Sequence, residues 1–254
     1  MRPFLALRAI LLARRNMRPL GRLIAFEGID GSGKRTQLEL LAGALNASAI
    51  SVYSIGFPQY DSWFGKMVGK FLNGELGALE SVDPHFTALL YSGDRFEAKP
   101  QLESALNEGK IVLVDRYIGS NLAHQTARVA KHKREEYLNW IKHLEYNIYE
   151  LPREDLVLYL RVPPSEAQKL VVQKSARSYT SAKQDLQEAS LRHLQEAADM
   201  YDLLSRESPW VTIECFDSTR HLMRSPGEIA QDVLAAVQPL LTTQLASNPA
   251  ARGR

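Results

Sequence analysis

Three glycines and a lysine follow one another closely near the start of the chain. Residues 23–36 read LIAFEGIDGSGKRT, so an apolar run leads into a glycine-rich turn and then to Lys34 and Thr36. Glycines let successive backbone N–H groups curl around a polyphosphate, and a lysine at this spacing can reach the β- and γ-phosphates. The segment therefore predicts a phosphate-binding loop between a strand and a helix. The loop residues predicted to contact a nucleoside triphosphate are Gly28, Ile29, Asp30, Gly31, Ser32, Gly33, Lys34, Arg35 and Thr36.

One residue of this loop departs from the usual pattern. Arg35 follows the lysine directly, at the position where such loops ordinarily carry a serine or a threonine. An arginine has only N–H donors and stays charged, so it cannot ligate Mg²⁺ as a hydroxyl does. The side chain of Arg35 then either points outward from the helix or lies along a phosphate as a second cation, and the sequence leaves both open.

A second charged pair ends another apolar run. Asp115 and Arg116 come directly after residues 111–114. A carboxylate in this place can hold a hydrated Mg²⁺ beside a triphosphate, and an arginine can bind a phosphate through two N–H groups. A salt bridge at the strand end would explain the same pair. The phosphate-binding loop upstream favours Asp115 as the metal ligand and Arg116 as a phosphate contact.

Two other places offer side chains that could bind a ligand. Phe57 can stack on a flat base, and Tyr60 carries a hydroxyl for a phosphate or a sugar, although the turn that holds them could equally be anchored in the core. Asp94 and Arg95 lie inside a predicted helix, where charges exposed to solvent are the default.

A basic stretch joins two predicted helices in the second half of the chain. Residues 173–183 read QKSARSYTSAK and contain Lys174, Arg177 and Lys183 but no acid. Such a loop can close over phosphates and exclude water, and the alternative is a solvated basic loop. The six histidines have no metal-ligand spacing with an acid or a cysteine, so no structural zinc site is expected.

Apolar runs that alternate with amphipathic segments must position these residues. Strands are predicted at residues 23–26, 49–54, 111–114, 156–160 and 210–213. Helices are predicted at residues 34–45, 83–107, 120–150 with a break near 131, 165–174, 185–205 and 226–240. Strands that are apolar on both faces and alternate with helices are typical of an α/β fold, here a doubly wound parallel five-stranded sheet flanked by helices. Ligands bind beyond the carboxyl ends of such strands, where the candidate residues are expected.

Composition limits the class of protein. The chain has 254 residues, of which 45% are hydrophobic and 24% charged, and its formal net charge of +2 is too small to suggest a nucleic-acid partner. The single cysteine, Cys215, excludes an intramolecular disulfide and fits a reducing, cytoplasmic location. This cysteine is expected to be a small buried hydrophobe.

The two ends of the chain differ from its central part. Residues 1–20 contain five arginines and no acid, and they are predicted to be a dispensable extension, with a start at Met17 or a transit peptide as alternatives. Their apolar stretch is too short and too charged to span a bilayer, so no membrane partner is expected. Residues 21–241 form the predicted domain, with a lid at about 173–184, and residues 242–254 are predicted to be disordered.

Four motifs, taken in order, resemble those of the thymidylate kinase family. They read FEGIDGSGK, FPQY, DRYIGSNLAHQ, and RSYTSAKQDLQE leading to Tyr201, and the resemblance runs from about residue 23 to residue 240. It implies a P-loop NTPase-like fold with a short lid and transfer of the γ-phosphoryl of ATP to dTMP, which gives ADP and dTDP. It also implies Mg²⁺ as cofactor and a homodimer. The N-terminal extension has no counterpart in the family.

The resemblance implies roles for matching residues around the acceptor. Asp30 would bind the 3′-hydroxyl of the deoxyribose, and Phe57 would stack on thymine. Arg95 and Asn121 would form hydrogen bonds with the edge of the base. His124 stands near the sugar, where many bacterial members have a tyrosine.

The phosphate contacts are implied in the same way. Tyr60 and Arg116 would lie near the acceptor phosphate, and Asp115 near Mg²⁺. Arg177 of the lid would stabilise the transferring phosphoryl group, because the phosphate-binding loop has no arginine at the position that does so in other members. The expected catalytic residues are Lys34, Asp115, Arg116 and Arg177.

Two other functions remain open on the sequence alone. Another P-loop kinase, acting on a different nucleotide or on a nucleoside, would share the phosphate-binding loop. A nucleotide-binding regulator that has lost catalysis would explain Arg35, although the retention of Lys34, Asp115, Arg116 and Arg177 argues against such decay.

Overall fold

Five parallel strands form the central sheet of this computed structural model, which describes residues 21–172 and 191–247. In chain order the strands are β1 (Arg22–Glu27), β2 (Val52–Gly56), β3 (Ile111–Asp115), β4 (Leu156–Arg161) and β5 (Trp210–Glu214). Their order across the sheet is β2-β3-β1-β4-β5, and every neighbouring pair is parallel. The predicted α/β fold class, a doubly wound parallel sheet, is therefore confirmed.

Helices flank this sheet on both faces. The α-helices of the described residues are α1 (Lys34–Ala47), α2 (Trp63–Leu72), α3 (Pro84–Asn107), α4 (Ile118–Thr126), α5 (Arg134–His143), α6 (Pro164–Val172), α7 (Leu191–Leu204) and α8 (Pro226–Ser247). A 3₁₀ turn (Lys131–Lys133) leads into α5, and a π-helical turn (Leu144–Ile148) follows it. A short antiparallel hairpin, β6 (Phe216–Asp217) with β7 (Leu222–Met223), precedes α8.

The apolar run of β1 lies at the centre of the core. Leu23, Ile24, Ala25 and Phe26 are each 0% exposed, because helices cover both faces of the sheet and a strand in that position must be apolar throughout. Phe26 pairs with Asp115 of β3, so β1 and β3 end at the same edge of the sheet. That edge carries the glycine-rich loop and the Asp115–Arg116 pair together.

The start of β2 differs from the sequence-based prediction. The strand begins at Val52 rather than at residue 49. Ala49 has a φ of 59°, in the left-handed region, and its N–H still donates to Asn46 O at the end of α1. Ala49 and Ile50, whose N–H groups donate to Asn46 O and Leu45 O, therefore close the helix instead of extending the strand.

The sequence pattern did not predict α2, which carries two glycines that lower helical propensity. Ser62 caps this helix by accepting the N–H of Gly65 at 2.9 Å. A Cβ at Gly65 would lie 1.8 Å from the carbonyl oxygen of Gln59, so the close approach of the preceding loop requires glycine there. Packing thus overrides propensity in this helix.

Two predicted boundaries in the second half of the chain are wrong. The region 120–150 is divided among α4, the 3₁₀ turn, α5 and the π-helical turn, although the break near Lys131 is confirmed. Helix α8 continues to Ser247, so residues 242–247 are helical rather than disordered. The hydroxyl of Thr242 donates to Gln238 O at 3.1 Å within this last part.

Three predicted features lie outside the described residues, namely the extension 1–20, the lid at about 173–184 and the end of the tail, 248–254.

Cys215 is 0% exposed, as expected, and burial raises the pKa of its thiol to about 12. In the part of the chain that the structure describes, no helix is both long and apolar enough to cross a membrane.

Candidate active site

The glycine-rich loop connects β1 to α1 with the backbone conformations that such loops need. Gly28, Gly31 and Gly33 have φ values of 139°, 86° and 87°, which non-glycine residues rarely adopt. A Cβ at Gly31 would also lie 2.3 Å from the carbonyl oxygen of Ala167 in α6. The loop ends at the N-terminus of α1, where free N–H groups and the helix dipole favour an anion.

Lys34 lies inside this loop. Its Nζ donates to the carbonyl oxygens of Gly28 and Ile29 at 3.0 and 2.9 Å and approaches Ser32 Oγ at 3.3 Å. A cleft of about 550 Å³ is bordered by the loop together with Asp115. The ammonium group is thus fixed at the wall of a cleft that is wide enough for a nucleotide's phosphates.

Arg35 takes the outward of the two orientations that the sequence leaves open. Its side chain is 84% exposed, and its Nε forms an ion pair with Glu39 Oε1 at 2.9 Å, one turn along α1. The hydrogen bond to Glu39 raises the pKa of Arg35, so the side chain stays charged. It offers the cleft no metal ligand.

Asp115 has the properties of a metal ligand. Its Oδ1 is buried and has no hydrogen-bond partner among the described residues, although the same side chain borders the phosphate cleft. A buried carboxylate oxygen without a donor is costly unless a cation or water satisfies it. Oxygen ligands of this kind suit Mg²⁺, so the residues present fit that metal. The described residues contain no group of three or more His, Cys, Asp or Glu side chains that could hold a metal by themselves.

Arg116 turns back over the loop because its backbone is in the left-handed region, with a φ of 65°. Its Nη2 forms an ion pair with Asp30 Oδ1 at 2.5 Å. Its Nη1 donates to Ser120 Oγ at 3.1 Å and to Gly28 O at 3.3 Å. A non-glycine residue in this conformation is characteristic of sites where a side chain must be aimed.

Glu27, the last residue of β1, is a functional residue that the sequence reasoning missed. It is 0% exposed, and its carboxylate accepts the N–H of Tyr117 at 2.7 Å and the hydroxyls of Ser120 and Tyr201 at 2.7 and 2.9 Å. These three bonds tie the end of β1 to α4 and α7. The signal in the sequence was an acid that ends a wholly apolar strand.

A pocket of about 70 Å³ lies on the other side of Arg116 from the phosphate cleft. It is the proposed acceptor pocket, and it brings together every residue that the sequence assigned to the acceptor. Those residues are Asp30, Phe57, Tyr60, Arg95, Arg116, Asn121 and His124. Asp30 and Arg116 border both this pocket and the phosphate cleft, so the two sites are adjacent.

Arg95 is held by a partner that the sequence did not reveal. Its Nε donates to Glu145 Oε2 at 3.0 Å, and its Nη2 pairs with Glu145 Oε1. Both side chains are buried, with Arg95 1% and Glu145 0% exposed. The prediction of a solvated helix charge is therefore wrong for Arg95. The ion pair leaves Nη1 as the donor that Arg95 can offer a ligand.

Asp94 is also buried, and it organises the turn that carries Phe57 and Tyr60. Its carboxylate accepts the N–H of Gln59 at 2.9 Å and the hydroxyl of Ser62 at 2.8 Å. Burial raises the pKa of Asp94, which these hydrogen bonds oppose. The solvated-charge prediction is wrong here too, because one carboxylate on α3 fixes the loop that closes the acceptor pocket.

Asn121 presents a buried acceptor in the same pocket. Its Nδ2 lies 2.8 Å from Glu145 Oε1 and 3.2 Å from Ala88 O, two atoms that can only accept. The orientation of the amide is therefore fixed, with the oxygen on the other side. Asn121 Oδ1 has no hydrogen-bond partner among the described residues.

The residues predicted to form a lid lie beyond this site as described. Arg177, Lys174 and Lys183 lie outside the described residues. Helix α6 ends at Val172 and α7 begins at Leu191, on either side of that segment.

Comparison with known proteins gives one consistent family. The family model described as thymidylate kinase matches residues 26–224. The chain is 35% identical over 141 residues to thymidylate kinase of Mycobacterium tuberculosis (strain CDC 1551 / Oshkosh), which covers 55% of this chain and 65% of that protein. It is 33% identical over 149 residues to human thymidylate kinase, an alignment that covers 59% of this chain and 65% of the human protein. These alignments thus span slightly less than two thirds of either relative.

Longer matches support the same assignment. The chain is 31% identical over 218 residues to the probable thymidylate kinase of Pyrobaculum aerophilum, which covers 85% of this chain and 95% of that protein. A solved structure of thymidylate kinase from Candida albicans superposes with a TM-score of 0.66 over 87% of this chain and 92% of that one, and at 20% identity it supports the fold alone. The family model and the long alignments together show that this chain belongs to the thymidylate kinase family.

Proposed function

We propose that this protein transfers the γ-phosphoryl group of ATP to dTMP, which gives ADP and dTDP. The choice of acceptor rests on two residues that both line the acceptor pocket, Arg95 as a donor and Asn121 as an acceptor. Arg95 Nη1 can donate, and the buried Asn121 Oδ1 can only accept. A thymine edge supplies the complement, since its O4 accepts and its N3–H donates.

The same geometry disfavours cytosine. Cytosine presents an amino donor at position 4 and an unprotonated nitrogen at position 3. Arg95 would then face a donor, and Asn121 Oδ1 would face another acceptor. Buried polar groups left unpaired in this way cost roughly 1–3 kcal/mol each. Phe57, which is 6% exposed on the pocket wall, supplies a face on which a flat base can stack.

Phosphoryl transfer at this site needs alignment more than acid–base chemistry. The attacking atom of a nucleoside monophosphate is an ionised phosphate oxygen, so no general base is required. Asp30 and Arg116 lie between the two cavities, where an acceptor phosphate would meet the γ-phosphate. Lys34 and the N–H groups of the loop neutralise charge on the donor side.

Mg²⁺ and the lid complete the proposed site. Asp115 is the residue that would hold Mg²⁺, through an Oδ1 that is buried and lacks a hydrogen-bond partner within residues 21–172 and 191–247. Mg²⁺, when bound, neutralises phosphate charge. Because Arg35 offers no ligand, the rest of the coordination falls to nucleotide oxygens and water. Arg177 is the proposed lid residue that stabilises the transferring phosphoryl group.

We also propose that the protein is a homodimer that pairs through α3. Phe86, Leu89 and Phe96 are 44, 38 and 47% exposed and recur on one face of this helix. Trp63 at the start of α2 is 64% exposed. A two-fold axis would bury this same apolar stripe on both copies.

A substrate panel tests the proposed function. ADP release is coupled to an optical readout with dTMP, dUMP, dGMP and CMP as acceptors, each over a range of concentrations. We expect dTMP to give the highest kcat/KM. A different preferred acceptor would indicate another P-loop kinase, and no turnover with any of them, despite ATP binding, would indicate a regulator.

A further inference from the structure

Two histidines face each other beneath Arg116. His124 lies on α4 in the wall of the acceptor pocket, and His193 lies on α7. His124 Nδ1 is 3.3 Å from His193 Nε2, and His124 Nε2 is 3.4 Å from Arg116 Nη1. The side chains form a row, His193–His124–Arg116, which runs from α7 to the acceptor pocket.

One member of this row determines where the protons lie. A guanidinium has N–H donors and no acceptor, so His124 Nε2 can accept from Arg116 only in the tautomer in which this nitrogen presents a lone pair. A neutral His124 then carries its proton on Nδ1 and donates it to His193. His193 Nε2 accepts this bond, so a neutral His193 carries its own proton on Nδ1.

The surroundings keep both rings neutral near pH 7. His124 and His193 are 4% and 6% exposed. Burial lowers the pKa of His193 to about 4, and burial together with Arg116 holds the pKa of His124 well below its usual range. The charged groups that face the two rings are Arg116, Lys34 and Asp30 for His124, and Arg128, Asp30, Glu80 and Glu196 for His193.

We propose that His193 is a positioning residue for the phosphoryl acceptor. By accepting the Nδ1 proton of His124, it fixes the tautomer in which His124 Nε2 accepts from Arg116. Arg116, which also pairs with Asp30, is thereby held across the mouth of the acceptor pocket. Loss of the acceptor on His193 lets His124 adopt the other tautomer, which places an N–H against the N–H of Arg116 and displaces the guanidinium.

The first test needs no substrate and does not depend on the proposed function. The ¹⁵N chemical shifts of both ring nitrogens are recorded on histidine-labelled full-length protein at pH 7.5. We expect His124 to be protonated on Nδ1 and unprotonated on Nε2. In His193→Leu, which removes the acceptor, the His124 signals should move toward the other tautomer or toward a mixture. Protonation of His124 on Nε2 in the unsubstituted protein overturns the proposal.

The second test is kinetic and rests on the proposed function. His193→Gln keeps an acceptor near the position of Nε2, whereas His193→Leu does not. We expect kcat/KM for dTMP to fall about tenfold in His193→Leu, mainly through KM, and to stay within about threefold in His193→Gln. The exposed His143 on α5 supplies the control, because His143→Gln should leave both parameters unchanged.

A pH series separates positioning from simple packing. Protonation of His193 should break the row and lower kcat/KM as the pH falls toward the pKa of His193, about 4. His193→Gln, which cannot protonate there, should therefore lose less activity between pH 5 and pH 4. The ionisation of dTMP is common to all variants and cancels in the comparison. If His193→Gln and His193→Leu lose activity equally at every pH, the ring acts only through its volume and the proposal is wrong. If His193→Leu does not fold, the ¹⁵N shifts of the unsubstituted protein and the pH series of His193→Gln still decide.

Discussion

Arg95 can serve the acceptor pocket because Glu145 takes two of its three nitrogens and fixes the third. The two residues are 50 positions apart, and neither is more than 1% exposed. Asn121 shares the same carboxylate, so a single buried glutamate orients both the donor and the acceptor that face the base. The partners of a buried charge offset part of its desolvation cost, whereas removal of one partner leaves the others buried and unpaired.

Arg95 and Asn121 are expected to determine which base the acceptor pocket prefers. The unsubstituted protein should favour dTMP over dCMP by at least about tenfold in kcat/KM, since cytosine leaves two buried groups mismatched at roughly 1–3 kcal/mol each. Arg95→Ala should reduce this ratio. Asn121→Leu, which keeps the Arg95–Glu145 ion pair, should also reduce it. Lys99→Ala on the same helix is the control, because Lys99 contacts Tyr149 O outside the pocket and should leave the ratio unchanged. Equal activity on both nucleotides in the unsubstituted protein contradicts the assignment.

The metal ligand gives a second prediction. Asp115→Asn should lower turnover severely and change its dependence on Mg²⁺, because the amide lacks the negative charge that the unpartnered Oδ1 supplies. Arg35→Ser should stay within about tenfold of the unsubstituted rate, since the exposed Arg35 forms an ion pair with Glu39 on the outside of α1 and the serine adds a hydroxyl near the cleft. The measurement is kcat as a function of Mg²⁺ concentration for the unsubstituted protein, Asp115→Asn and Arg35→Ser. Full activity in EDTA, or an unchanged Mg²⁺ dependence in Asp115→Asn, would exclude this metal site.

The lid arginine gives a third prediction. Arg177→Ala should lower kcat by about 10²-fold, the loss expected for one oriented group that acts on the transition state, and should change KM for dTMP little. Lys174→Ala and Lys183→Ala are matched controls from the same basic stretch. Near-normal kcat in Arg177→Ala together with a large loss in either lysine variant would assign the role to that lysine instead.

At the scale of elements, the phosphate-binding loop requires glycine where α6 approaches it. Gly31→Ala would place a Cβ 2.3 Å from Ala167 O at a φ of 86°, so the loop or α6 must shift. We expect the affinity for ATP, measured by calorimetry, to fall at least about tenfold, since strain of this kind costs of order 1–3 kcal/mol. Gly43→Ala on α1 meets nothing within 4 Å and is the control. The affinity of Gly43→Ala for ATP should be unchanged. Its free energy of unfolding should rise by up to about 1 kcal/mol, because alanine has a higher helix propensity than glycine. Equal affinities for ATP in the two variants would show that the loop tolerates the displacement.

Local sequence predicted β1, β3 and β4 well because these strands are almost wholly buried and their central residues are therefore apolar. Local sequence predicted the elements less well where contacts with other segments of the chain determine whether a helix forms or where a strand starts. Helix α2 forms despite Gly65 because Gln59 packs against that glycine, and β2 starts late because Ala49 completes the preceding turn. The motifs placed Asp30, Phe57 and Arg116 at one pocket. They could not show that Glu145 holds Arg95 or that His193 faces His124, since these pairs join segments 50 and 69 residues apart.

At the scale of the whole molecule, the apolar stripe on α3 predicts self-association. Leu89→Glu would place a charge on the proposed two-fold contact and should shift the protein from dimer to monomer in sedimentation velocity. Leu234→Glu on α8 is the control, because Leu234 is similarly exposed, at 44%, on another helix. A monomeric unsubstituted protein at micromolar concentration, or a Leu89→Glu variant that is still dimeric, contradicts the proposed interface.

Asp30 and Arg116 border both the proposed ATP site and the proposed thymine-selective acceptor pocket. The proposed function requires direct transfer of the γ-phosphoryl group from one to the other. The most direct measurement follows the radioactive γ-phosphoryl group of ATP by chromatography after incubation with dTMP and Mg²⁺. We expect the label to appear in dTDP, with one ADP formed for each dTDP. Release of the label only as inorganic phosphate would contradict the proposed function. So would label that stays in ATP when dTMP is the acceptor but is transferred when a different nucleotide is supplied.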